Sequence, residues 1–206
     1  MSNRDYWESV YQSKGPLRVS WYQQHAKRSA ELIRRTGVAL DAPIIDVGGG
    51  ASTLVDDLLA AGYSSLTVLE LSSAAVKAAQ SRLGERAHRV AWKVDDVTVA
   101  ELPECGFEVW HDRAVFHFFT GQTERNAYVR AAQRAIKPGG FIIMATFAED
   151  GPTQCSGLPV VRYGEVSLQR ELGDQFDLVE HERESHQTPF GTNQEFFYAV
   201  FRRRAS

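Results

Sequence analysis

Ile44-Ile45-Asp46-Val47-Gly48-Gly49-Gly50-Ala51-Ser52 is a short apolar run that stops abruptly in three glycines. The residues after it, Ser52 to Leu59, place Leu54, Leu58 and Leu59 at helical spacing and end near Gly62. The stretch therefore reads as strand, glycine turn, helix. Glycines let the backbone turn tightly and approach a ligand without a Cβ in the way. The helix that follows offers N–H groups with no partner inside the helix. Taken alone, such a turn also suits a purely structural bend, so its surroundings decide the reading.

Outward from this turn the chain alternates. Apolar runs at Leu66–Leu69, Val90–Val94, Phe107–Trp110 and Phe141–Phe147 are separated by helix-like stretches at Ser72–Leu83 and Glu124–Ile136. Ser72 or Ser73 is the expected N-cap of the first of these helices. Lys137-Pro138-Gly139-Gly140 closes the second. Alternation of this kind predicts βαβ units and a mainly parallel sheet. The fifth run is continuously apolar, as a strand covered on both faces is. Val166–Leu172 reads as a further helix. Phe176–Glu182 and Glu195–Phe201 alternate in polarity and predict an antiparallel pair at one end of the sheet. Asp5–Gln12 and His25–Arg35 read as helices ahead of the sheet. The expected organisation is one domain over residues 1–206, with residues 1–40 as an N-terminal helical cap.

Three acids sharpen the reading. Asp46 lies in the first strand, Glu70 ends the second 24 residues later, and Asp96 follows the third another 26 residues on. Parallel strands carry these acids to one edge of the sheet, where open α/β sheets bind ligands. Glu70 is placed to accept hydrogen bonds from a ribose diol, and Asp96 to receive an adenine amine.

With these residues the sequence resembles the class I S-adenosyl-L-methionine (SAM)-dependent methyltransferases over roughly Trp7 to Arg203. The matching motifs are Ile44–Gly50, Val68-Leu69-Glu70-Leu71-Ser72, Asp96-Val97, Phe107–Arg113 and Ile136–Gly140. Ser52 stands where the family's third motif glycine is usual. The resemblance implies a doubly wound, Rossmann-like, mainly parallel seven-stranded α/β sheet with a C-terminal antiparallel hairpin. It implies SAM as cofactor, with S-adenosylhomocysteine (SAH) as product. Asp46, Gly48, Gly49 and Gly50 would carry the methionine part, Glu70 with Leu71 the ribose, and Asp96 with Val97 the adenine. Trp7, Tyr11, Trp21 and Tyr22 are similar to the aromatic lead-in of a smaller group. That group contains the lysine methyltransferases of elongation factor 1A and of citrate synthase, with bacterial relatives. An aromatic such as Trp21 beside a sulfonium is attracted to it by its π face.

Methyl transfer from a sulfonium is an in-line displacement, which asks an enzyme mainly for positioning and desolvation. The loop after the fourth strand is expected to face the methyl group. In it Asp112 is the expected holder of the SAM amine or a substrate amine, and His117 the candidate base. Phe116 is a candidate wall. The long stretch Ala148–Pro159, with Arg162 and Tyr163, is expected to frame the acceptor, with Arg162 as a carboxylate clamp and Cys155 as a reactive thiol. His111, His181 and His186 read as structural.

The expected activity is methyl transfer to a small-molecule or protein side-chain nucleophile. A non-catalytic SAM-binding module is one alternative. An NAD(P)-dependent oxidoreductase is another, disfavoured because Gly48–Thr53 has no glycine at the last position of GxGxxG. A net charge of -3 gives no electrostatic reason for a nucleic-acid partner. The two cysteines have no metal-ligand spacing, so no metal is expected. No apolar run is long enough to span a membrane, and a cytoplasmic location is expected.

Overall fold

The computed structural model describes residues 3–15 and 19–205, the Lys14 side chain excepted. Two helices come first, α1 (Asn3–Lys14) and α2 (Lys27–Arg35). Then follow β1 (Ile44–Val47), α3 (Leu54–Ala60), β2 (Leu66–Glu70), α4 (Ser73–Leu83) and β3 (Val90–Val94). The second half runs β4 (Phe107–Arg113), α5 (Gln122–Ala135), β5 (Ile136–Phe147), β6 (Gln154–Cys155) and β7 (Leu158–Pro159). It closes with α6 (Glu165–Leu172), β8 (Phe176–Gln187) and β9 (Asn193–Arg203). Seven strands form one sheet in the order β3-β2-β1-β4-β5-β9-β8. The first five are parallel, and β9 runs antiparallel to both β5 and β8. The strand order reverses between β1 and β4, so the carboxyl ends of these strands form a crevice.

Alternate residues of the central strands feed two separate apolar layers. Ile45, Val47, Trp110, Ile142 and Met144 pack on one face, under α5 and α6. Ile44, Val109, Ile143, Ala145 and Phe147 pack on the other, under α2 and α3. Burial on both faces explains the lack of polar alternation in these runs. The N-cap of α4 is Ser72, whose hydroxyl accepts from the amide of Ala75. By contrast, β5 starts earlier than its apolar run. Ile136 to Gly140 does not merely close the preceding helix. It runs extended beside β4, and a bulge opposite Phe107 and Val109 absorbs the register shift. The stretch after β5 holds the two-stranded β6–β7 hairpin.

Beyond β4 the chain folds back through a short 3-10 turn, Phe116–Phe118. Asp112 makes that turn possible. It has no exposed surface. Its Oδ1 accepts from the amide of Val115 at 3.0 Å and its Oδ2 from that of Phe116 at 3.1 Å. Tyr128 of α5 donates its hydroxyl to Oδ2, while Trp110 donates to that same hydroxyl at 2.9 Å. The next residue but one, Ala114, sits at a positive φ of 68°. That conformation is costly for a residue with a Cβ, and the hydrogen bond of its own amide to the carbonyl of Ala145 on β5, with that of the Val115 amide to Asp112, holds it there.

Burial holds the Asp112 carboxyl up at about 6, opposed by the hydrogen bonds from Tyr128 and the amide of Val115. The folded chain therefore holds this proton more tightly than the unfolded chain. The contribution of Asp112 to stability is greatest below its unfolded pKa and is lost as pH rises through about 6. Compared with Asp112→Asn, the wild type should lose stability between about pH 4 and pH 7 in urea unfolding. A difference that stays flat over this window contradicts the assignment. Tyr128→Phe at neutral pH should cost about 1–3 kcal/mol by removing a donor from a buried carboxylate.

Candidate functional site

At the carboxyl edge of the sheet, the turns after β1, β2, β3 and β4 surround a single cavity. The glycine turn forms its floor. Gly48 has φ of +68°, and a Cβ on it would lie 2.1 Å from Cγ2 of Val115. A Cβ on Gly49 would lie 2.1 Å from Oδ2 of Asp46. The backbone thus lies directly on its neighbours, with no room for any larger residue.

Glu70 joins this turn to the next. Its Oε2 accepts from the amide of Gly50 at 3.1 Å and its Oε1 from the amide of Ser72 at 2.9 Å. Burial pushes the carboxyl up, against the lowering by the amides of Ser72, Gly50 and Leu71. Each oxygen has a second lone-pair direction beyond its amide partner. Asp46 turns its Oδ1 to Nδ1 of His111 at 2.7 Å, and Nε2 of His111 lies 2.8 Å from the hydroxyl of Ser29 on α2. Asp96 ties down the third turn by accepting the amide and hydroxyl of Thr98 at 2.8 and 2.7 Å. Asp46, Gly48, Gly49, Glu70, Leu71, Asp96, Val97 and Trp21 all line the cavity.

The roof is α1. Its Trp7 packs edge-on against Trp21 (5.7 Å between ring centres) and Phe118 (5.0 Å), and Tyr11 packs against Trp21. Glu8 on the same helix caps α4, accepting from the hydroxyls of Ser72 and Ser73 at 2.8 and 2.9 Å and from the amide of Ala74 at 3.2 Å. Those hydrogen bonds hold its carboxyl below the usual range although burial works the other way. On the opposite flank Tyr6 donates its hydroxyl to the carbonyl of Ser156 in the β6–β7 turn.

Several residues expected at the site are elsewhere. Asp112 faces α5, and its carboxylate is committed to the β4 loop, so it does not line the cavity. Gly50 gives its amide to Glu70 rather than to the cavity. His117 is fully buried, its Nδ1 accepts from the amide of Phe147, and burial with Arg113 nearby holds its pKa down at about 3. It is neutral and lies behind the wall, which is no place for a working base. Phe116 and Tyr163 pack on one another in the α5 layer, with no surface toward the cavity. Cys155 is buried and its thiol is pushed up to about 11 by burial, so it is not reactive. Arg162 is exposed and donates to the carbonyl of Gly151, clamping nothing.

In their place the structure brings in Arg113, Val115 and Phe118. Arg113 donates to the hydroxyl of Tyr198 at 2.8 Å and to the carbonyl of Trp21 at 3.0 Å, and its guanidinium lies 4.3 Å from the centre of the Phe196 ring. Period-two counting along β4 carried the signal for it. His111 and Arg113 share one face, and Asp112 lies on the other.

Residues 44–140 match a family model described as a methyltransferase domain. The chain is 22% identical over 194 residues to the human EEF1A lysine methyltransferase 2, covering 87% of this chain and 76% of that protein. It is 27% identical over 109 residues to the bovine eEF1A lysine and N-terminal methyltransferase, covering 53% of this chain and 15% of the relative. Among solved structures it is similar to the 1,6-didemethyltoxoflavin-N1-methyltransferase of Burkholderia thailandensis. That match has a TM-score of 0.73 and 19% identity, and covers 98% of this chain and 87% of that one. The [4+2]-cyclase SpnF aligns at a TM-score of 0.74 and 16% identity, over 100% of this chain and 98% of that one, so likeness of shape shows the fold alone. The methyltransferase domain matched over residues 44–140 and these relatives support a SAM-dependent methyltransferase of the class I kind.

Proposed function

We propose that the cavity under α1 holds SAM in one orientation. The methionine part lies over Gly48 and Gly49, the ribose hydroxyls reach the free lone pairs of Glu70 beside Leu71, and the adenine sits between Asp96 and Val97. The methyl group then faces Trp7, Trp21 and Phe118. One observation supports this above all others: the ends of three separate strands deliver Gly48, Glu70 and Asp96 to a single cavity. The fit is physical, since the glycine turn packs where a Cβ would strike Val115, Asp46 or Glu70, and each oxygen of Glu70 keeps acceptor capacity beyond its amide partner. Residues 1–206 act as one methyltransferase domain, with residues 1–40 as its helical cap; residues 1–2, 16–18 and 206 lie outside the described residues.

The acceptor is a nucleophile on a small molecule or a protein side chain. SAM supplies an electrophilic methyl on a positively charged sulfur. The chain's own residues orient the donor, exclude water through α1 and the aromatic wall, and present the acceptor in line. His117 takes no proton in this scheme, nor does Asp112. Among the described residues no helix is long and apolar enough to cross a membrane. Both cysteines are free, which agrees with a reducing, cytoplasmic setting.

Calorimetry should show SAH binding and no binding of NAD; the reverse result overturns the reading in favour of an oxidoreductase. Glu70→Ala should weaken SAH binding by about 1.5–3 kcal/mol, the worth of hydrogen bonds to a charged acceptor. Unchanged affinity removes Glu70 from the ribose. Gly49→Ala should abolish SAH binding or lower the unfolding midpoint, because its methyl group would overlap Asp46. A variant that binds and melts as the wild type does contradicts the close approach. Glu8→Ala, which frees one flank of α1, should raise the SAH dissociation rate while leaving the midpoint of the SAH-free protein within a few degrees.

A further inference from the structure

Asp46 and His111 are register partners on the neighbouring parallel strands β1 and β4, so their side chains stand side by side on one face of the sheet. Ile44 and Val109, two residues earlier on each strand, fill the same face with apolar packing under α2 and α3. Ser29 of α2 completes the row, and all three residues are buried. Asp46 and His111 also line the cavity. A carboxylate oxygen accepts, so Nδ1 of His111 carries the hydrogen of its 2.7 Å contact with Oδ1 of Asp46. The hydroxyl of Ser29, 2.8 Å from Nε2, holds the ring from its other side.

This row of contacts ends on an oxygen with nothing to accept. Oδ2 of Asp46 is buried and has no hydrogen-bond partner. It lies at the glycine turn, 2.1 Å from where a Cβ on Gly49 would sit, and Gly49 lines the cavity too. A buried carboxylate oxygen without a donor costs free energy. Glu70 is near enough that, after burial, the charge of Asp46 also raises its carboxyl. Two acids that repel one another beside the same floor favour a cation there. Arg113, on the same face of β4, does not supply it, because it donates to the hydroxyl of Tyr198 and the carbonyl of Trp21. In the methionine part placed over Gly48 and Gly49, the sulfonium has no hydrogen to donate, and the carboxylate would be repelled. The α-ammonium has both the charge and the donors. We propose that His111 is a positioning residue for the cofactor: anchored by Ser29, it occupies Oδ1 of Asp46 and leaves Oδ2 to take the α-ammonium of SAM. This rests on the placement of SAM proposed above. Holding the amino-acid end helps to aim the methyl group, and α2 of the cap serves the site without touching the cofactor.

The test compares SAH, the SAH analogue with hydrogen in place of the α-amino group, and 5′-methylthioadenosine, which lacks the whole amino-acid end. Each is titrated by calorimetry. Absence of SAH binding to the wild type overturns the SAM site itself. The wild type should prefer SAH to the deaminated analogue about tenfold or more, the worth of a charge-assisted hydrogen bond. Equal affinities overturn the assignment of Oδ2 and leave the SAM site standing. His111→Leu should bring that preference close to unity while the deaminated analogue and methylthioadenosine stay within about twofold of their wild-type affinities. His111→Asn, whose amide can stand in for the Nδ1 donor, should restore most of the preference. Ser29→Ala removes only a hydroxyl and should narrow the preference about threefold, so it carries the test if His111→Leu does not fold. Equal losses for all three ligands make His111 a structural residue alone and overturn the proposal, as does an unchanged preference in both variants.

Discussion

The site depends on one buried carboxylate. Glu70 is only 6% exposed, and taking an ionised carboxylate out of water costs several kcal/mol unless donors replace the lost hydration. The amides of Gly50 and Ser72 are those donors. They belong to the turns after two different strands, so satisfying Glu70 fixes one turn against the other. The same contact sets the start of α4, whose cap Ser72 is also held by Glu8 from the roof. A single charge thus links the floor, the second turn and the lid.

The lid itself is lightly anchored. Among the described residues of α1 only Val10 and Tyr11 are buried, and the rest of its attachment is the partly buried ring of Trp7 and polar contacts from Glu8 and Tyr6. Elements with few buried apolar contacts open at low free energy. That suits a helix that must move for cofactor exchange and close to exclude water. The aromatic contacts of Trp7 are made across the cavity mouth, so closing the lid and building the acceptor wall are one event.

The fold was legible because its signals are local. Strands buried on both faces read as continuous apolar runs, and the glycine turn and its following helix announce themselves by composition. The acids at three strand ends were legible for the same reason, since parallel topology converts position along the chain into position along an edge. The loop after β4 was not legible. Asp112 looked like a ligand because an aspartate at a strand end usually faces the crevice, but strand periodicity points it under α5, where Tyr128 and two amides complete its hydrogen bonds. Tyr128 lies 16 residues further along the chain, and no local pattern announces that partnership. Cys155 and Tyr163 were misplaced likewise. The loop that carries them forms a hairpin and packs inward, which depends on contacts with β5 and α1 that a linear reading does not contain.

The most direct measurement is a crystal structure of the protein with SAH. The account predicts both ribose hydroxyls within hydrogen-bonding distance of Glu70, the adenine amine at Asp96, and the sulfur turned toward Trp7 and Phe118. A nucleoside bound outside the crevice, or one whose ribose faces a residue other than Glu70, would contradict it.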